Sequence, residues 1–180
     1  MKSKIHMLQP IFILIITLFS ACNQETIETS TNQEILFEVN HVNFAWGKQF
    51  RGLLIDKNGQ IMTYDNPVKW NLIDGKDGLT LNQIKENISN TVISKTKVSA
   101  ADLQNYASKM NAMASQDFTK PVSGGADRGI TSFYAYRYDA DKQIYTPVLL
   151  SQIGDLETYN TDKSAVEISS WLKEILAKVF

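Results

Sequence analysis

The sequence predicts an α+β domain: an antiparallel sheet of about five or six strands, built from two long hairpins, with three amphipathic helices packed on one face. Three observations carry that expectation. Residues 50–64 and 130–153 each pair apolar, strand-like runs across turn residues, Asn58-Gly59 in the first and Ala140-Asp141-Lys142 in the second. Apolar residues recur at helical spacing behind capping residues at Thr80, Ser99 and Ser164. Each of those helices has a single apolar stripe, which needs a sheet face to cover.

Ile35, Phe37 and Val39 alternate with polar residues, the period of a half-buried strand. The apolar positions then move to Val42, Phe44 and Trp46, and a change of parity near Asn40-His41 predicts a bulge or short turn. Gly47 permits a sharp connection into the run 50–55. Asn58-Gly59 is a type I′ hairpin signal, because both turn residues need positive φ. Pairing outward from Lys57 and Gln60 sets Ile55 opposite Met62 and Leu53 opposite Tyr64, all four on one core face. Pro67 ends the second strand.

Thr80 and Gln83 form a capping box, with Leu79 and Ile84 placed as a hydrophobic staple and Leu81, Ile84 and Ile88 as the buried stripe. Residues 91–97 read as extended. Ser99 and Asp102 repeat the capping device, Val98 is set to meet Leu103, and Leu103, Tyr106, Met110 and Met113 follow the helical period as the helix fades into Gln116. Residues 119–129, TKPVSGGADRG, read as a flexible loop. In the second hairpin Pro147 cannot donate to a ladder, which predicts an edge or a bulge there. Ser164 caps the last helix with Glu167, and Ile168, Trp171, Leu172, Ile175, Leu176 and Val179 form its stripe.

The chain begins with Lys2 and Lys4, continues through an apolar run over 11–19, and reaches Cys22 directly after Ser20 and Ala21. That order is a secretory signal with small residues before the cut. The apolar run falls well short of the roughly 20 residues a spanning helix needs. The stretch Leu18-Phe19-Ser20-Ala21-Cys22 resembles the lipobox of bacterial lipoproteins, in the style of the small lipoproteins of Bacteroidota-type bacteria. Ser20, Ala21 and Cys22 fit its last three places, and Phe19 stands where the family usually has Leu. The resemblance covers only the first two dozen residues. It implies that Cys22 is lipidated and becomes the new N-terminus. Two or more acyl chains, at about 0.8 kcal/mol per buried methylene, hold a protein firmly. The expected organisation is a signal peptide over 1–21, the lipidated cysteine and a polar tether over 22–33, and one domain over 34–180. Fully extended at roughly 3.5 Å per residue, the tether reaches about 40 Å. The implied location is the cell envelope, anchored to the outer membrane on its periplasmic or surface face.

Losing residues 1–21 removes Lys2 and Lys4 from the 18 basic residues and none of the 19 acidic ones, leaving a net charge of about −3. A mildly acidic domain without a Lys/Arg cluster argues against nucleic acid as a partner. Cys22 is the one cysteine in the sequence, so the domain has no disulfide, thiol nucleophile or Cys-based metal site. His41 is the one histidine beyond the signal. No cofactor motif is present.

Several candidate sites have a plainer structural alternative beside them. Tyr134, Tyr136 and Tyr138 alternate on one strand face and form a candidate platform for a glycan or peptide; cross-strand aromatic packing is the alternative. Asp127 and Arg128 lie in the loop 121–129, which suits either binding or connection. Asp74 and Asp77 in DGKDG offer oxygen ligands to calcium but lack EF-hand spacing, and Asp-Gly pairs equally serve turns. His41 lacks a placed nucleophile, since Ser123 has no G-x-S-x-G context. Trp46 and Trp70 flank loops, while Trp171 reads as core. The expected function is a non-enzymatic binding domain held at the membrane by lipid, for a protein, peptide or glycan. A carboxylate-dependent hydrolase, and a protease or lysozyme inhibitor using the loop 121–129, are the alternatives.

Overall fold

The computed structural model describes residues 33–73, 78–113 and 117–180. In chain order these form β1 (Ile35–Asn43), β2 (Gln49–Asp56), β3 (Gln60–Asp65), β4 (Leu79–Thr80), α1 (Leu81–Ser89), β5 (Val92–Lys97) and α2 (Ala100–Ala112). There follow β6 (Val122–Ser123), β7 (Ile130–Asp139), β8 (Ile144–Gly154), β9 (Leu156–Tyr159) and α3 (Lys163–Val179). The α+β class is as expected, with an antiparallel sheet and helices packed on it. The sheet has nine strands among the described residues, in the order β5-β3-β2-β1-β7-β8-β9-β6, with β4 pairing β8. The expected five or six were too few. The strands β4, β6 and β9 are two to four residues long, too short to show a period in sequence.

The helices do not share one face, which corrects the second part of the expectation. Helices α2 and α3 cover one side, where Phe37, Val39, Leu53, Ile55 and Phe133 meet Leu103, Met110, Ile168 and Leu172. Helix α1 covers part of the other side, where Ile84 joins Ile35, Leu54, Met62, Tyr64, Tyr136 and Tyr145. The cause lies in β2 and β3. Leu53, Leu54 and Ile55 are consecutive and all buried, as are Ile61 and Met62, so the middle of the sheet is apolar on both faces and needs two covers.

The turn between β2 and β3 decides that division. Lys57-Asn58-Gly59 is a three-residue loop, in which Gly59 takes φ of 76° and its N–H donates to Asp56 O at 3.0 Å. Asp56 Oδ1 also accepts from Asn58 N and Gln60 N, at 2.8 and 2.7 Å. Ile55 therefore pairs with Ile61, Leu54 with Met62 and Gly52 with Tyr64. The two-residue turn expected from Asn58-Gly59 gave a register one residue off. The single step moves Met62 and Tyr64 to the face opposite Leu53 and Ile55.

Strand β1 runs unbroken through Asn40-His41. Its irregularity lies between Ile35 and Phe37, and the parity change marks a strand that contributes to both cores. Pro67 follows the end of β3, and Pro147 sits in β8 between the stretches paired by β4 and β9, an edge as expected. The Thr80–Gln83 capping box forms. Ser99 Oγ accepts from Asp102 N and caps α2. Helix α3, however, is capped by Asp162, whose Oδ1 accepts from Ser164 N at 2.8 Å, so Ser164 lies inside the helix. Trp171 is core, stacked on Tyr106 at 4.2 Å and edge-on to Phe37 at 5.2 Å.

Candidate functional site

Tyr134, Tyr136 and Tyr138 share one face of β7, but they do not line an open platform. Tyr136 is fully buried, and Tyr134 and Tyr138 are half-buried, Tyr138 against Tyr145 at 4.5 Å. What draws Tyr136 inward is Glu38, a buried acid that sequence reasoning missed. Tyr136 Oη donates to Glu38 Oε2, and Tyr64 Oη donates to Glu38 Oε1 at 3.0 Å. Asn40 Nδ2 approaches the same Oε1 at 3.5 Å. No ion pair among the described residues involves Glu38. Burial pushes its carboxyl up, against the three hydrogen bonds that favour the charged form. Both tyrosines are pushed well up, by burial first and then by the facing carboxylate. Gly52 makes this possible: a Cβ there would stand 2.6 Å from Tyr64 Oη, so only glycine lets that ring cross β2 to reach Glu38. Glu38 does alternate into the polar series of β1, but no spacing rule marks a polar position as interior.

Gln33, expected as the last residue of the tether, belongs to the fold. It is buried, and its Nε2 donates to Tyr136 O at 2.8 Å and Ile35 O at 3.0 Å. Glu34 N donates to Tyr145 Oη at 2.6 Å, and Lys57 N to Glu34 O at 3.3 Å. The chain thus enters at the end of the sheet that carries the β2–β3 turn.

Asp127 and Arg128 lie at the opposite end. The loop 121–129 is braced there rather than loose. Asp155 Oδ1 accepts from Arg128 N at 2.7 Å, Gly124 N donates to Asp155 O at 3.1 Å, and Asp155 N donates to Gly129 O at 2.9 Å. Asn43 Nδ2 donates to Asp127 O at 3.0 Å, tying the loop to the end of β1. The Arg128 guanidinium meets Gly124 O and lies 3.5 Å from Glu157. Strand β6, inside this loop, pairs Val122 with Glu157 and Ser123 with Leu156. At the same end of the sheet, the β1–β2 connection presents Phe44 at 67% and Trp46 at 76% exposure, and Val122 and Leu156 are also exposed. From β1 through β7, β8 and β9 to β6 is four strand spacings, about 19 Å. Four exposed apolar side chains with an acid and a base between them thus occupy one pole of the sheet. Trp70, in contrast, packs on Tyr64 at 3.9 Å.

His41 faces the α3 side of the sheet and Glu38 the other, three residues earlier on the same strand. The two cannot form an acid–base pair. His41 Nδ1 lies 3.0 Å from Thr131 Oγ1, and burial followed by the Arg51 charge lowers its imidazole pKa. No Asp or Glu side chain is among the walls of the pocket it lines. Asp74 and Asp77 lie outside the described residues, and so does Cys22. Among the described residues no three His, Cys, Asp or Glu side chains gather as metal ligands.

No protein-family model matches this chain, and no curated protein or solved structure matches it significantly.

Proposed function

We propose that this chain is an exported lipoprotein, lipidated on Cys22, whose domain binds a partner protein or peptide in the cell envelope through the pole formed by Phe44, Trp46, Val122, Asp127, Arg128 and Leu156. One observation supports this above others. Gln33 and Phe44 stand beyond opposite ends of β1, a strand of nine residues that spans about 26 Å. A tether from Cys22 reaches the domain at the Gln33 end, so the exposed aromatics point away from the lipid surface. Trp and Arg, here Trp46 and Arg128, are among the usual anchors of a protein contact. The tyrosine row contributes less, because its centre is committed to Glu38.

The test has two parts. The Cys22→Ala variant is expected to lose lipid labelling and to leave the membrane fraction or accumulate as precursor. A photo-crosslinking residue at position 46 in intact cells is expected to trap one discrete protein, and the same residue at position 58, on the anchor side, to trap none. Mature, lipid-labelled protein from the Cys22→Ala variant sinks the anchor. Equal cross-linking at 46 and 58 sinks the polar orientation.

A further inference from the structure

Three side chains from neighbouring strands stand in one row on the α3 side of the sheet. His41 pairs with Arg51 of β2 on one side and with Thr131 of β7 on the other. The next row inward, Leu53, Val39 and Phe133, is solid core. At the polar row the core opens instead into a cavity of about 120 Å³, walled by Val39, His41, Arg51, Thr131, Leu176 and Phe180. At about 30 Å³ for each water, it holds roughly four waters or an end group of similar size.

The lining is chemically divided. Val39 and Leu176, with Phe180 of the α3 terminus, offer hydrocarbon, while Arg51 offers a guanidinium fork. Among the described residues the Arg51 guanidinium makes no ion pair, hydrogen bond or ring contact. Its neighbour on the other side is Asp65 of β3, whose Oδ1 accepts from Asn66 Nδ2 at 3.0 Å and which is not a wall of the cavity. His41 spends Nδ1 on Thr131, which leaves Nε2 as its second polar atom. A guanidinium fork is matched in shape and charge by a carboxylate.

We propose that this cavity binds a carboxylate carrying a short aliphatic group, with the oxygens on Arg51 and His41 Nε2 and the hydrocarbon against Val39, Leu176 and Phe180. Two sources share this chemistry: a free short-chain acid and the C-terminal residue of a peptide. The cavity is smaller than the 300 Å³ or more typical of a whole small-molecule ligand, which suits an end group. The inference stands apart from the anchor and from the aromatic pole, on different residues.

His41 is its own reporter. The full-length protein is held in detergent micelles, and the His41 ring resonances are assigned by comparison with His41→Asn. Butyrate, added to tens of millimolar, is expected to shift the His41 signal saturably and to raise the pH at which it titrates. Butylammonium, of the same shape and opposite charge, is expected to give no saturable shift. Arg51→Gln is expected to weaken butyrate at least tenfold with an unchanged melting temperature, and Lys85→Gln on α1 to leave it as it was. An acetylated dipeptide ending in valine, with a free or an amidated C-terminus, separates the sources. Tenfold tighter binding of the free acid than of butyrate assigns a peptide terminus, and equal binding assigns a short-chain acid. The proposal is overturned if butyrate gives no saturable shift, if butylammonium binds equally, or if Arg51→Gln leaves the affinity unchanged.

Discussion

Glu38 and Tyr136, diagonal neighbours on β1 and β7, are joined by a hydrogen bond from the phenol to the carboxylate inside a closed sheet face. Tyr64 donates to the other oxygen from β3, so the acid is clamped from both flanks without a cation. This arrangement holds three strands in one register, because a slip of one residue would bury Glu38 among the side chains under α3 instead.

The pH dependence of stability follows from that burial. Folded Glu38 holds its proton above the ordinary carboxyl value of 4.5, so its stabilising contribution is complete below about that pH. It is lost as pH rises through the raised folded value, where the buried group must ionise. Comparing melting temperatures of the wild type and Glu38→Gln from pH 4 to 8 isolates the term, since all other groups are common to both. The difference is expected to move in favour of Glu38→Gln as pH rises. A flat difference, or one of opposite slope, would refute the assignment.

Tyr136→Phe removes one of the two phenol donors and leaves Glu38 Oε2 unsatisfied in the interior. The expected loss is about 1–3 kcal/mol in urea unfolding at neutral pH. Gly52→Ala should be at least as damaging, because its Cβ would also meet Val39 O at 2.1 Å. A melting curve indistinguishable from wild type for either variant would show that the clamp is not formed.

Helix α3 separates two capping assignments. Asp162→Ala is expected to cost about 1 kcal/mol, and Ser164→Ala a few tenths, since only the Asp162 side chain accepts from the first turn. Equilibrium unfolding of the two variants decides between them, and the reverse order would restore Ser164 as the cap.

Trp46 should report the exposed pole directly. It is 76% exposed, whereas Trp171 is 7% exposed and Trp70 packs at a tilt on Tyr64. Acrylamide quenching of the tryptophan emission should therefore fall sharply in Trp46→Phe, with stability within about 0.5 kcal/mol of wild type. Unchanged quenching, or a large loss of stability, would place Trp46 in the core.

Capping residues and helical stripes were legible because they act over a few positions. Thr80 with Gln83 forms the full capping box and Ser99 caps α2 by accepting from Asp102 N, and both long hairpins lie where their turns suggested. The candidate sites were not legible in the same way. The tyrosine row has the right alternation, yet what decides the exposure of Tyr136 is Glu38, 98 residues earlier. The aromatic pole and the cavity gather residues from β1, β2, β6, β7, β9 and α3, and no spacing in the chain announces them.

By itself, the sequence determined the α+β class, the three helices with the caps of α1 and α2, and the places of the two hairpins. Those features rest on local chemistry: periodicity, capping hydrogen bonds and turn residues. Only the tertiary structure decided which face each residue occupies. The one-residue difference in the Lys57-Asn58-Gly59 turn sends Met62 and Tyr64 to the α1 side, while Leu53 and Ile55 stay under α2 and α3. With a side-chain period of two, one step of register exchanges both faces of a strand. That step is what brings Tyr64 to the face that holds Glu38.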